Sequence, residues 1–128
     1  MKTPVILLFS NDPVVFETVE EVAMHQRRGL RVVRSTHDAF QSLKEGFDDA
    51  DLAIIDLDPG MHGSALLEAI ADRVPVIVLT SFEEEYMKPV ASRHGAADCL
   101  AKPLSIERLS AVVEGLLNSD TACAAQGG

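Results

Sequence analysis

Three residues that follow short apolar runs are of the types that phosphoryl transfer requires: Asp56, Thr80 and Lys102. A carboxylate can attack a phosphoryl group as a nucleophile, and an amine can pair first with that carboxylate and then with the phosphoryl oxygens. A hydroxyl can hydrogen-bond the transferred group. The three residues therefore predict phosphoryl transfer to Asp56, if the fold brings their segments together.

The elements that would position these residues alternate in type along the chain. Five short apolar runs alternate with five helix-like stretches, a pattern typical of βαβ units and a parallel sheet. Runs 5–9, 52–55 and 76–79 are continuously apolar and predict central strands, whereas runs 30–34 and 98–101 are mixed and predict edges. With right-handed crossovers, the expected fold is α/β and flavodoxin-like (βα)5, a doubly wound parallel sheet with strand order 2-1-3-4-5.

Capping residues and apolar stripes predict the helices. Asp12, followed by Pro13, caps the first helix, a second spans about residues 38–46, and Ser105 caps the fifth. The inner stripes are Val15, Val19 and Val22 in the first, Leu66, Leu67, Ile70 and Val74 in the third, and Ile106, Leu109, Val113 and Leu116 in the fifth.

The fourth helix and the C-terminal segment are less regular in sequence. Ser81 and Glu84 fit a capping box, and Pro89 predicts that the fourth helix is kinked or restarts there. Small and polar residues from Asn118 onward predict a disordered tail. The expected organisation is one domain over residues 1–118 and a tail over 119–128.

In an open parallel sheet, ligands bind beyond the carboxyl ends of the strands, near the switch in strand order. The residues at these ends are Ser10, Asn11 and Asp12 after strand one, Asp56 and Asp58 at strand three, Thr80 at strand four, and Lys102 and Pro103 after strand five. An acid, a hydroxyl and an amine are therefore expected to converge from distant segments.

These motifs and their order resemble the receiver domains of two-component response regulators. The resemblance spans roughly residues 5–117 and rests on the segments 51–56 and 59–63, Leu79-Thr80, 95–97 and Lys102-Pro103. It implies a receiver, not an enzyme, that accepts a phosphoryl group on Asp56 from a histidine kinase or phosphotransfer protein. The length of one domain and the lack of a signal-like or membrane-spanning apolar run predict that this receiver is stand-alone and cytoplasmic. Thr80 would be the switch hydroxyl and Lys102 the pocket lysine, and the Lys102-Pro103 bond would be cis. The fourth helix, fifth strand and fifth helix would form the output surface.

Three departures from the receiver pattern concern the pocket and its output. Ser10 and Asn11 stand where the family has two adjacent acids that hold Mg²⁺, so we expect weak Mg²⁺ binding, if any, by Asp56 and Asp12. The loop between Asp56 and the Gly63 position is one residue shorter than is usual in the family. Cys99 occupies the position of the switch aromatic, so signal output cannot use a swinging ring.

Composition excludes several other classes of function. A net charge of −9 repels nucleic acid and anionic lipid, and no apolar stretch approaches membrane-spanning length. The length of 128 residues fits one ordinary domain. Cys99 and Cys123 are expected to be free and reduced.

The sequence leaves other interpretations open. Asp56 and Lys102 could form a structural ion pair in a pseudo-receiver that binds partners without phosphorylation. Asp12 could cap a helix or bind metal. A small phosphatase is the weakest alternative, because Pro59-Gly60 replaces the Thr expected after the Asp-x-Asp of haloacid-dehalogenase phosphatases. Pairing of copies into a homodimer is also left open.

Overall fold

Parallel strands and helices alternate along the chain in the computed structural model, which describes residues 4–10, 12–25, 31–35, 50–57 and 63–127. The strands are β1 (Val5–Phe9), β2 (Arg31–Ser35), β3 (Leu52–Asp56), β4 (Val76–Thr80) and β5 (Asp98–Ala101). The helices are α1 (Pro13–His25), α2 (Gly63–Ile70), α3 (Glu84–Arg93) and α4 (Ile106–Gly127). The helix predicted near residues 38–46 lies outside the described residues, so the numbering passes over it.

The five strands form one parallel sheet in the order β2-β1-β3-β4-β5, which confirms the predicted order. The central strands β3 and β4 are buried along their whole length. Strands covered by helices on both faces must be largely apolar. For that reason the polarity of the sequence was enough to predict which strands are central and which are at the edges.

Alternating strand side chains divide the core into two layers, because successive residues of a strand face opposite sides of the sheet. Ile6, Leu8, Ile54, Ile77 and Leu79 pack against Val15, Val19 and Val22 of α1 and Leu109 and Val113 of α4. On the opposite face, Leu7, Phe9, Ile55, Val78 and Cys99 pack with Leu67 and Ile70 of α2 and Ala91 of α3. The apolar stripes predicted for the described helices therefore face the sheet, while the side chain of Leu66 lies outside the description.

Two predicted caps are confirmed. Asp12 Oδ1 accepts a hydrogen bond from the Val14 amide at 2.9 Å, at the start of α1. Ser105 Oγ accepts one from the Arg108 amide at 3.3 Å, at the start of α4. Each side chain provides an acceptor for an amide that has none within the helix.

Helix α3 differs from its prediction in two respects. It begins at Glu84, its N-cap Glu83 makes no side-chain capping bond, and Ser81 lies in the preceding loop, so the predicted capping box is wrong. The helix also continues unbroken through Pro89, so the predicted restart is wrong. Pro89 and Glu85 are exposed, and water can therefore reach the carbonyl that the proline deprives of its donor.

Glycine is required where α3 ends. Gly95 has φ +102°, a left-handed conformation that residues with a Cβ rarely adopt. A Cβ at this position would also lie 2.7 Å from the Cβ of Ala71. Both constraints favour the glycine that begins the 95–97 segment of the receiver-like pattern.

Helix α4 is longer than its apolar stripe predicted. The backbone remains helical to Gly127, through the segment that the sequence predicted to be a disordered tail. This segment contains alanines and no proline or glycine before Gly127, so nothing in it stops a helix that has already begun.

Candidate functional site

Four polar side chains lie at the carboxyl ends of four strands. Asp56 and Thr80 are the last residues of β3 and β4, while Ser10 and Lys102 directly follow β1 and β5. Parallel strands end at the same edge of a sheet, so the topology brings these residues close together. Ser10, Asp56 and Thr80 are buried.

The Asp56 carboxylate is held by two donors on the same oxygen. Ser10 Oγ donates to Asp56 Oδ2 at 2.8 Å, and Lys102 Nζ donates to it at 2.8 Å. Only 2% of Asp56 is exposed, so these charge-assisted bonds compensate for water that the carboxylate has lost. The pair predicted from sequence is therefore present.

Lys102 lies between two carboxylates. Its Nζ is 3.7 Å from Asp12 Oδ2 as well as bonded to Asp56. The Lys102 amide donates to the Thr80 carbonyl at 2.7 Å, which aligns the start of the following loop with β4. The Lys102-Pro103 peptide bond is cis, as predicted, and Pro103 is exposed beside the site.

The two hydroxyls of the site also order the adjacent turns. Thr80 Oγ1 accepts a hydrogen bond from the Phe82 amide at 3.0 Å, in the loop before α3. Ser10 Oγ accepts one from the Asp12 amide at 3.1 Å while donating to Asp56. Movement of either hydroxyl would therefore change the backbone of a neighbouring loop.

An open cavity of about 440 Å³ lies next to the lysine, between α1 and the loop after β5. Val14, Val15 and Leu104 form its apolar wall, and Asp12 and Lys102 are among its polar lining residues. The pocket can therefore be reached from solvent on the side of the lysine.

The structure brings together most of the residues that the sequence assigned to the site. Asp56, Lys102, Ser10 and Asp12 are joined by the contacts above, and Thr80 lies on the strand next to Asp56. Asn11 and Asp58 lie outside the described residues.

The comparisons with known proteins identify the family. The family model for the response regulator receiver domain matches residues 6–114. The chain belongs to this family. It is therefore a receiver domain of a response regulator in two-component signalling, a class of modules that typically signal rather than catalyse and that interact with histidine kinases or phosphotransfer proteins.

Curated relatives of this receiver domain are considerably longer than the chain. The transcriptional activator protein PfeR of Pseudomonas aeruginosa is 31% identical over 118 residues, which cover 90% of this chain and 38% of PfeR. The two-component response regulator ARR12 of Arabidopsis thaliana is 28% identical over 117 residues, covering 89% of this chain and 20% of ARR12. The chain thus spans well under half the length of these relatives.

Solved structures share the fold of the receiver domain. A response regulator from Thermotoga maritima superposes with a TM-score of 0.76 at 20% identity, covering 91% of this chain and 99% of that one. A CheY-like receiver domain protein from Methanospirillum hungatei gives 0.75 at 22% identity, covering 94% and 98%. At these identities the likeness concerns the fold alone.

Receiver domains generally bind Mg²⁺ at an acidic pocket, and the described donor set of this one does not fit that ion. Mg²⁺ needs a near-octahedral set of oxygens with carboxylates among them. Here Ser10 directs its proton to Asp56, and the Lys102 ammonium lies between Asp56 and Asp12. Across the described ranges, no group of three or more acidic, histidine or cysteine side chains is arranged to hold a metal ion.

Cys99 replaces the aromatic that the receiver pattern places on β5. It is 1% exposed and packs in the same core layer as α2 and α3. Burial raises the pKa of its thiol, and the charges of Glu84 and Asp98 add to that effect. Cys99 is therefore a small neutral core residue.

The hydrogen bond from Ser10 to Asp56 was missed at the sequence level, where Ser10 counted only as a lost metal ligand. The sequence feature that could have predicted it is a hydroxyl at the end of β1, the strand that pairs with β3 and so lies beside Asp56.

No helix in the described part of the chain is long and apolar enough to cross a membrane.

Proposed function

We propose that this receiver domain accepts a phosphoryl group on Asp56 from a histidine kinase or a phosphotransfer protein. The observation that carries the proposal is the 2.8 Å contact between Asp56 Oδ2 and Lys102 Nζ at the end of a central strand. An ammonium group at this position can stabilise the carboxylate before transfer and the phosphoryl oxygens after it. Lys102 is partly exposed, which leaves a route to solvent.

The transfer requires only the phosphohistidine donor and a proton from solvent. A carboxylate oxygen of Asp56 attacks the phosphorus of a phosphohistidine, a P–O bond forms, and the P–N bond breaks. The departing imidazole takes the electron pair of the P–N bond and is protonated from solvent. The Lys102 ammonium would offset negative charge on the phosphoryl oxygens, and the Thr80 hydroxyl, at the end of the neighbouring strand β4, would hydrogen-bond one of them.

The second candidate is a pseudo-receiver that binds partners without phosphorylation. It is favoured by Ser10, which replaces an acid and donates to Asp56, so that the carboxylate is already satisfied by two donors. In either case we propose that an output protein contacts the surface formed by α3, β5 and α4.

A small phosphodonor such as acetyl phosphate separates the two candidates. The unmodified chain is incubated with the donor, with and without Mg²⁺, and its intact mass is compared with those of Asp56→Asn and Asp72→Asn. Asp72 is an exposed carboxylate that belongs to none of the sequence motifs of the pocket, so its variant is the matched control. We expect one phosphoryl adduct on the unmodified chain and on the Asp72 variant, and none on the Asp56 variant.

Absence of an adduct on the unmodified chain, under conditions that label a typical receiver, would favour the pseudo-receiver. An adduct that persists in Asp56→Asn would place phosphorylation elsewhere. Mass analysis of peptides would then identify the modified residue.

We further propose that Mg²⁺ binds this pocket weakly, in roughly the millimolar range or not at all, because carboxylates are its preferred protein ligands. Replacing both Ser10→Asp and Asn11→Asp should strengthen binding by at least about tenfold, since each added charge near a divalent ion contributes several kcal/mol at an effective dielectric of about 20. Calorimetric titration of both proteins measures the difference. Tight binding by the unmodified chain would contradict the proposal and would indicate that Asp12 or Asp58 has taken over the ligand role.

A further inference from the structure

The outer edge of β5 is a second feature of the molecule, separate from the phosphorylation pocket. β5 is the last strand of the sheet and pairs on one side with β4. The Lys102 amide donates to the Thr80 carbonyl of β4. Because backbone amides alternate in direction along a strand, those of Cys99 and Ala101 point away from β4, toward the open edge.

Both outward amides are capped by carboxylates. Asp98 Oδ1 accepts the hydrogen bond of the Cys99 amide at 2.7 Å, and Glu84 Oε2 accepts that of the Ala101 amide at 3.3 Å. An edge strand with open amides is a template for pairing with another chain. These two acceptors occupy the amides that such pairing would use.

The two carboxylates are themselves held by cations. Lys88 Nζ lies 3.5 Å from Glu84 Oε1 and 3.6 Å from Asp98 Oδ1, so it bridges them. Arg108 of α4 binds both oxygens of Glu84, one of them at 2.6 Å. Hydrogen bonding from Arg108 is the main reason that the pKa of Glu84 is lowered to about 2, so this carboxylate is ionised near neutral pH.

An open cavity of about 530 Å³ lies between α3 and β5, and its lining includes Asp98, Cys99 and the small residues Ala96 and Ala97. The cavity leaves open space beside the first half of β5, at Asp98 and Cys99.

We infer that Glu84 and Asp98 mask a strand-pairing surface on β5, and that the partner this surface fits is β5 of a second copy of the chain. The two outward amides lie on either side of Leu100. In an antiparallel pair with a two-fold axis at Leu100, Cys99 of each copy would face Ala101 of the other, and both residues would be hydrogen-bonded positions. The edge is therefore self-complementary in register, and the inference does not depend on phosphorylation of Asp56.

Removing the mask tests the inference. In Glu84→Ala/Asp98→Ala both acceptors are lost, whereas Glu85→Ala/Asp72→Ala removes two exposed carboxylates that cap no β5 amide. Sedimentation velocity over a range of concentrations measures self-association, and circular dichroism checks the fold. We expect the unmasked variant to dimerise at least tenfold more tightly than the control variant and the unmodified chain.

Adding Ala101→Pro to the unmasked variant should restore the monomer, because proline removes one outward amide and is tolerated at a strand edge. A folded, unmasked variant that associates no more than the control would overturn the inference, and so would an unmodified chain that already pairs through β5. If the unmasked variant does not fold, hydrogen exchange of the unmodified chain decides. Slow exchange at Cys99 and Ala101 supports masking, and fast exchange at both amides contradicts it.

Discussion

Two clusters of charged side chains in this receiver domain have similar composition, but their lysines differ in exposure. In the strand-end pocket, Lys102 lies between Asp56 and Asp12; at the β5 edge, Lys88 lies between Glu84 and Asp98. The side chain of Asp56 is 2% exposed and that of Lys102 is 14%, whereas that of Lys88 is 49% exposed. The Asp56–Lys102 pair of the first cluster has largely exchanged water for protein partners, while the Lys88 ammonium of the second still shares its charge with solvent.

This difference separates two uses of an ion pair. A buried pair gains little net stability over apolar residues, but removal of one partner leaves an uncompensated charge that is costly. Exposed pairs contribute little to stability and lose much of their attraction in salt. We therefore expect the pocket cluster to govern stability and chemistry, and the edge cluster to govern whether the β5 edge pairs with another chain.

The largest expected effect follows from Lys102→Met. This change leaves the buried Asp56 carboxylate without its ammonium partner and should lower the free energy of unfolding by roughly 3 kcal/mol. Lys102→Met combined with Asp56→Asn should recover most of that loss, because no buried charge remains. Urea denaturation of the three proteins measures the values, and a loss below about 1 kcal/mol in the single variant would show that water still solvates Asp56.

A smaller loss is expected for Ser10→Ala. The change removes the hydroxyl that donates to Asp56 and accepts from the Asp12 amide, at a cost of about 1 to 3 kcal/mol for the groups left unsatisfied. Ser92→Ala, at an exposed position of α3, provides the control and should have little effect. Equal stability of the two variants in thermal unfolding would mean that water replaces the lost hydroxyl.

The contribution of the edge cluster to stability should depend on pH. Glu84 has a pKa of about 2 in the fold against 4.5 for the free group, so its stabilisation is present above about pH 4.5 and is lost as pH falls through about 2. Glu84→Gln should therefore cost less than about 1 kcal/mol near neutral pH, and this cost should disappear below about pH 2. Thermal unfolding across this range tests the prediction, with Glu85→Gln as control. A difference in stability between Glu84→Gln and the unmodified chain that grows as the pH falls would contradict the prediction.

The smallest expected effect is that of Lys88→Met, a few tenths of a kcal/mol, because the lysine is half exposed. Added salt should distinguish the effect of Lys88→Met from that of Lys102→Met. About 1 M salt shortens the screening length to roughly 3 Å, so the effect of Lys88→Met should vanish while that of Lys102→Met persists. Salt dependence of the same size in both would break the distinction between the two clusters.

Much of the fold was predictable from local pattern because burial constrains residue type. Continuous apolar runs marked β3 and β4 as central, and the Asp12 and Ser105 caps were read from single residues. The errors lie where a local rule competed with its surroundings. The Phe82 amide bonds to Thr80, α3 begins later than a cap at Ser81 requires, and α3 tolerates Pro89 at an exposed position.

The sequence by itself determined the strand order and the positions of Asp56, Thr80 and Lys102 at strand ends, because polarity and turn chemistry act over a few residues. Only the tertiary structure decided which atoms meet. Ser10 reaches Asp56 across 46 residues, and Arg108 reaches Glu84 across 24. Such contacts depend on strand register and helix packing, which place side chains to within about an ångström, and hydrogen bonds require that accuracy. For that reason the Ser10 bond and the capped edge of β5 became visible only in three dimensions.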